Sequence, residues 1–185
     1  MQIDILKPNC EEVPCFWLRG IVPQSCTFAN SDDIPVRRTI KYQGDRPTGK
    51  WPSGTYYGDG SGGAYTSYPT LSRCGVGIAL VENGVLILGA KYRLPRPHQT
   101  VPRVELSAIA TLLEYLDEGA HVTYIGDNKP VVDRYLEGEA ACLRSTNGDL
   151  YSLVFKYIRE KNISFSIKWM PSHLMKNLRK SAQNG

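Results

Sequence analysis

Three carboxylates stand where their neighbours invite chemistry. In "GTYYGDGSGGAY", residues 54–65, Asp59 closes an apolar run and is surrounded by Gly58, Gly60, Gly62 and Gly63. Glycines at that density let the backbone take positive φ and come close to another group. In "HVTYIGDNKP", Asp127 likewise follows Gly126 at the end of the apolar run 122–125. Between the two, Glu105 in "TVPRVELSAIATLLEYLDEG" is followed at helical spacing by Ile109, Leu112 and Leu116, which puts an acid on an apolar stripe. A charge there is costly unless something compensates it. Such a glutamate snorkels out, pairs with Arg103, or joins a site. If the strands ending at Asp59 and Asp127 are parallel neighbours and the Glu105 helix is their crossover, all three acids meet at the carboxyl ends of the strands, where open α/β sheets place their sites. Like charges gathered that closely need cations, and carboxylates with few other ligands suit Mg²⁺.

Residues 58–63 also spell G-x-G-x-x-G, so a dinucleotide-binding turn has to be weighed. That turn works only when its third glycine opens a helix whose N-terminus faces the pyrophosphate. Here "AYTSYPTLSRCGVGIALV" follows, with a proline and then a strand pattern, which argues against a nucleotide fold.

The elements that must carry these acids are well punctuated from Gly54 onward. "TYYGD" reads as a short strand, and "CGVGIALVENGVLILGAKYRL" as two strands joined at an Asn83-Gly84 hairpin turn. Thr100 as a cap, Pro102 in the first turn and Gly119 as terminator frame a helix. "HVTYIGD" is another strand, "PVVDRYLEGEAACL" a helix, and "NGDLYSLVFKYIREKN" a helix with Leu150, Val154, Tyr157 and Ile158 on one side. "ISFSIKW" alternates, with Ile163, Phe165, Ile167 and Trp169 inward and Ser164, Ser166 and Lys168 outward. The order β-β-β-α-β-α-α-β predicts a mixed α/β sheet flanked by helices. Residues 1–50 hold five of the twelve prolines and no sustained periodicity, and read as an irregular linker or arm with one apolar patch, "CFWLRGIV", ahead of a domain at 51–185.

At 185 residues and 42% hydrophobic, the chain can bury one good core. No run reaches the ~18 apolar residues of a membrane span, and "MQIDILKPNC" lacks the basic start and apolar stretch of a signal peptide. No membrane association is expected. Five cysteines, Cys10, Cys15, Cys26, Cys74 and Cys142, have irregular spacing and no C-x-x-C pair, so the expectation is reduced thiols in an intracellular compartment, cytoplasmic or nuclear. The net charge is only +4, but 91–103 holds Lys91, Arg93, Arg96 and Arg103 without an acid, and the tail after His173 holds Lys176, Arg179 and Lys180 without one. Such runs are either a solvated face or a surface for an anionic partner.

In combination these motifs resemble ribonuclease H domains, in particular those attached to the reverse transcriptases of retroelements and retrotransposons. The resemblance covers about residues 54–174. "YYGDGSGG" is similar to the family's first strand, "VPRVELSAI" to its glutamate helix, "TYIGDN" to its fourth strand, "NGDLYSLV" to a late helix start and "IKWMPSHL" to the fifth strand and histidine loop. The resemblance implies a five-stranded mixed sheet of order 3-2-1-4-5 flanked by helices. It implies an endonuclease that hydrolyses the RNA strand of RNA–DNA hybrids with two Mg²⁺ ions about 4 Å apart, Mn²⁺ serving as substitute. Asp59 would bridge both ions, Glu105 and Asp127 would complete the one on the leaving-group side, and His173 would help protons or product leave. Gly60, Ser61, Gly62 and Gly63 would bring backbone amides to the RNA strand. Arg93, Arg96, Arg103 and Asn128 would join them in binding nucleic acid. A reverse transcriptase domain in a longer polyprotein is the implied context.

Two departures qualify the likeness. The family places a fourth carboxylate on a final helix after the histidine, whereas "LMKNLRKSAQNG", residues 174–185, contains no Asp or Glu. The final helix is therefore expected to be truncated or missing, and the competing reading is a catalytically impaired nucleic-acid-binding remnant. The family also often carries amide side chains just before the glutamate, where this chain has Val101 and Pro102. A related integrase or resolvase nuclease shares the acidic site, but "DGSGG" with "PSHL" favours ribonuclease H.

Overall fold

The computed structural model describes residues 37–44, 47–62, 72–95 and 98–172. Within them a six-stranded sheet carries helices α1 (Val101–Tyr115), α2 (Lys129–Leu136), α3 (Glu139–Leu143) and α4 (Gly148–Glu160). The strands are β1 (Lys41–Gln43), β2 (Gly54–Ser61), β3 (Gly75–Glu82), β4 (Val85–Arg93), β5 (His121–Gly126) and β6 (Ser164–Trp169), in spatial order β1-β4-β3-β2-β5-β6. β2 to β4 form an antiparallel meander. β5 runs parallel to β2, and β6 parallel to β5. The mixed α/β architecture matches the sequence expectation. The count is six strands and not five, because residues 41–43 pair antiparallel with β4 as an added edge; the other five keep the expected order with each number raised by one.

The β3–β4 turn is set by Asn83 and Gly84, with φ of 50° and 77°. Both central residues of a two-residue type I′ hairpin need that left-handed backbone, which asparagine and glycine tolerate best. Between β2 and β3 strand pairing buries Tyr56, Val76, Ile78 and Leu80 on the face that receives α1. α1 packs on β2 and β3 on one side and on α4 on the other, so ten consecutive residues, Val104 to Leu113, are buried. Each buried leucine among them contributes about 1.5–3 kcal/mol through area removed from water.

Four local readings need correcting. α1 ends at Tyr115, short of Gly119, because Leu116 is extended and the Lys161 ammonium caps the helix, donating to the carbonyls of Leu113, Glu114 and Leu116 at 3.0, 2.6 and 2.9 Å. Thr100 is its N-cap residue, but its side chain makes no cap bond. The stretch after Asn128 is two helices, broken at Gly138 with φ of 95°. Trp169 is exposed, unlike buried Ile163 and Ile167, because its indole donates 3.0 Å to the Asp127 carbonyl. Residues 173–185, where the final helix is expected to be truncated or missing, lie outside the described residues, as do Cys10, Cys15, Cys26 and the "CFWLRGIV" patch. Cys74 and Cys142 are free and buried. No helix among the described residues is long and apolar enough to cross a membrane.

Upstream of the expected domain start at 51, residues 37–44 are tied into the fold. Arg38 donates to Thr111 Oγ1 at 2.7 Å, pairs with Glu114, and sits 5.6 Å from the ring centres of both Tyr92 and Tyr115. Trp51, fully buried, stacks on Tyr56 and packs against Tyr42 and Tyr115, and its amide donates to the Tyr115 carbonyl at 2.9 Å.

Candidate metal centre

β2 and β5 are adjacent and parallel, with Tyr57 opposite Ile125. Two residues on from that pair, at the carboxyl end of each strand, come Asp59 and Asp127, and α1 brings Glu105 to the same place. One carboxylate oxygen from each of Asp59, Glu105 and Asp127 lies within 4.8 Å of the others. Asp59 is exposed and Asp127 half-buried, while Glu105 is only 3% exposed.

Glu105 is seated by a glycine. The Gly60 amide donates 2.8 Å to Glu105 Oε1, and a Cβ at Gly60 would meet Val104 Cγ1 at 2.3 Å and that oxygen at 2.7 Å. Gly58 has a similar reason: a Cβ there would fall 1.8 Å from the Tyr124 hydroxyl, which is fully buried against this part of β2. Both glycines lie in extended strand, so close approach, and not positive φ, is what requires them.

Burial is the largest influence on the Glu105 carboxyl and pushes its pKa up to about 7; the Gly60 amide opposes the rise, and the charges of Asp127 and Asp59 add to it. Among the described residues no cation side chain relieves this. Arg103, the alternative partner, instead forks onto Asp149 at 3.0 and 2.6 Å and reaches Asn147 at 3.2 Å. That pairing lowers the Asp149 pKa. Three all-oxygen donors converging without a cation among the described residues, one of them buried and reluctant to ionise alone, fit a hard divalent ion.

The remaining expected site residues are dispersed. Ser61 and Arg93 are exposed and line one groove with Asp59. Gly62 is buried, and its carbonyl accepts from Ser72 Oγ at 3.1 Å. Asn128 caps α2, accepting from the Val131 amide at 3.3 Å. Gly63, Arg96 and His173 lie outside the described residues. Trp169, whose indole holds the Asp127 main chain, was read from the sequence only as a core residue.

By sequence the chain matches no protein-family model and no curated protein. Its structure is similar to that of the foamy viral protease-reverse transcriptase solved in complex with RNA/DNA hybrid, with 14% identity and a TM-score of 0.51 over 76% of this chain and 20% of that one. It is also similar to LC11-RNase H1, isolated from compost by a metagenomic approach, with 15% identity and a TM-score of 0.50 over 71% of this chain and 92% of that one. The fold is ribonuclease H-like. In this ribonuclease H-like domain the three acids meet at the carboxyl ends of parallel strands β2 and β5, Glu105 reaching there from α1, and the added edge strand β1 lies on the far side of the meander.

Proposed function

We propose that the chain is an endonuclease that hydrolyses the RNA strand of RNA–DNA hybrids at the Asp59–Glu105–Asp127 centre. The observation that carries this is the convergence of the three carboxylates within 4.8 Å on a ribonuclease H-like sheet. Two Mg²⁺ ions, replaceable by Mn²⁺, would be held by these residues and when bound would supply charge neutralisation at the phosphate and an activated water. Hydrolysis forms a bond from water oxygen to phosphorus and breaks the bond to the 3′ oxygen, leaving a 3′-hydroxyl and a 5′-phosphate.

The chain's own groups prepare this step. The Gly60 amide fixes Glu105 Oε1, so that carboxylate is oriented before anything binds. Burial and the neighbouring Asp127 and Asp59 charges push the Glu105 pKa up to about 7, so a bound cation would favour its charged form. Trp169 anchors the main chain beside the Asp127 carboxylate. His173 is assigned to proton or product release. Gly60, Ser61, Gly62, Gly63, Arg93, Arg96, Arg103 and Asn128 are assigned to nucleic-acid binding; for Arg103, already forked onto Asp149, that contact requires sharing the guanidinium. The broader setting is a retroelement reverse transcriptase polyprotein acting inside the cell.

The competing reading is hybrid binding with slow cleavage. The test is incubation of the 185-residue chain and its Asp59→Asn variant in Mg²⁺ with four end-labelled duplexes of one sequence: RNA–DNA, RNA–RNA, DNA–RNA with the label on DNA, and DNA–DNA. Cutting of RNA in the hybrid alone, lost in the variant, is expected. Binding of hybrid without cutting would select the competing reading, and cutting of DNA–DNA would overturn the hybrid assignment.

A further inference from the structure

The sheet face turned away from α1 carries three cations, Lys41, Lys91 and Arg37, to which the proposed function assigns no role. Strand pairing sets Lys41 opposite Lys91, Lys91 opposite Gly77, and Gly77 opposite Asp59, so the four lie in one line across β1, β4, β3 and β2. In the adjoining line Arg93 stands opposite Gly75, and Gly75 opposite Ser61. With strands about 4.8 Å apart, the two lysine backbones are roughly 10 and 14 Å from that of Asp59. Glycine at 75 and 77 means that no side chain rises between the acid and the lysines. The result is a groove of about 630 Å³ with Asp59 and Ser61 on one bank and Lys91, Arg93, Lys41 and Arg37 on the other.

Two plain explanations fall short. Neutralising the acid centre is one, but no lysine figures among the influences on buried Glu105, which is pushed up by burial and by the charges of Asp127 and Asp59. Protecting a sheet edge is the other; it accounts for Lys41 on edge strand β1 but not for Lys91 on interior strand β4, nor for the glycine floor. Lys41, Lys91 and Arg37 are exposed, and among the described residues none of them has a carboxylate partner.

We propose that this groove seats a nucleic-acid phosphate backbone that runs up to Asp59, with Lys91 and Lys41 each on a phosphate and Arg37 and Arg93 flanking them. The proposal rests on the reading that the acid centre acts on nucleic acid. It assigns part of the binding surface to residues 37–41, upstream of residue 51, where the sequence pattern places the domain start. A flat trough with cations on one bank matches a strand that presents phosphates along one side and carries no sequence information, so binding is steep in salt and tolerant of sequence.

The experiment measures binding of a labelled RNA–DNA hybrid by anisotropy in Ca²⁺, where cleavage is not the readout, across about 0.05–0.3 M salt. It compares the full chain with Lys41→Gln/Lys91→Gln, with Lys41→Arg/Lys91→Arg, and with a control of equal charge loss elsewhere, Lys50→Gln/Lys156→Gln. Two lost phosphate contacts lower the slope of log K against log salt by about 1.8 and weaken binding roughly ten- to sixty-fold at about 0.1 M salt. The expected result is that loss for the first variant, rescue by arginine, and little change for the control. Equal behaviour of the first variant and the control overturns the groove. So does selective loss of polyglutamate binding with hybrid binding intact, which would make the partner an acidic protein segment. The cleavage assay is scored separately: lysine-dependent binding without cutting leaves the groove standing while the nuclease reading falls, and cutting with lysine-independent binding does the reverse.

Discussion

Glu105 is the residue on which the site's energetics turn. A carboxyl whose folded pKa is raised from 4.5 to about 7 favours folding fully only below the unfolded pKa, and that contribution is lost as pH rises through the folded value. In chelator, the melting temperature should therefore fall between about pH 4.5 and 7, by an amount on the order of 3 kcal/mol in stability. Glu105→Gln keeps an oxygen for the Gly60 amide and cannot ionise, so thermal melts of the variant should lack this slope. A wild-type melt that stays parallel to the variant's across that range would show that Glu105 is not desolvated. Gly60 makes a second test. Gly60→Ala drives a Cβ into Val104 and into the carboxylate oxygen, which should cost about 1–3 kcal/mol as overpacking and remove most stabilisation by Mg²⁺. An alanine variant with unchanged melting and unchanged Mg²⁺ response would refute the seating of Glu105 by that glycine. At this scale the three acids were legible, because an acid on an apolar helical stripe and acids ending two apolar runs are anomalies of pattern. The fate of Arg103 was not, since its partner Asp149 is 46 residues away in sequence.

At the scale of elements, the hairpin, α1, β5 and α4 follow from turn residues and periodicity, and the parts that escaped are those decided by tertiary contact. β1 is three residues long. Its approach nonetheless alternates, Arg37, Thr39 and Lys41 exposed and Ile40 and Tyr42 half-buried, a period-two signal masked by the charges around it. Trp169 continues an inward alternation but sits past the last turn of core, where its indole finds a carbonyl instead. Beside its pairing with β4, β1 is tied down by Arg38 just ahead of it, bonded to Thr111 and Glu114 between two tyrosine rings. Truncation to alanine should cost about 2–3 kcal/mol from the lost charged hydrogen bonds and cation–π contact. Hydrogen exchange of the β1 amides should rise with it, while those of β5 stay protected. Arg38→Lys, with one point charge in place of a planar fork, should recover only part of the loss. Unchanged β1 exchange in the alanine variant would show that strand pairing alone secures the edge.

For the whole molecule, the sheet order was legible through the ribonuclease H resemblance, while the residues alone offered only the condition that the two acid-ending strands be parallel neighbours joined by the Glu105 helix. The sixth strand and the basic bank it helps to build were not, because they depend on cross-strand register and not on any local motif. The account stands on the three carboxylates being a divalent-cation site, and the most direct measurement counts ions on the protein. Titration of the 185-residue chain with Mn²⁺, followed by electron paramagnetic resonance of the free ion and repeated with saturating RNA–DNA hybrid, reads occupancy without requiring turnover. The account predicts about one to two Mn²⁺ bound per chain, rising when hybrid is present and competed by Mg²⁺. It predicts that Asp59→Asn and Asp127→Asn each abolish most of the binding. Mn²⁺ binding that is absent from the wild type, or equal in wild type and both variants, would contradict it.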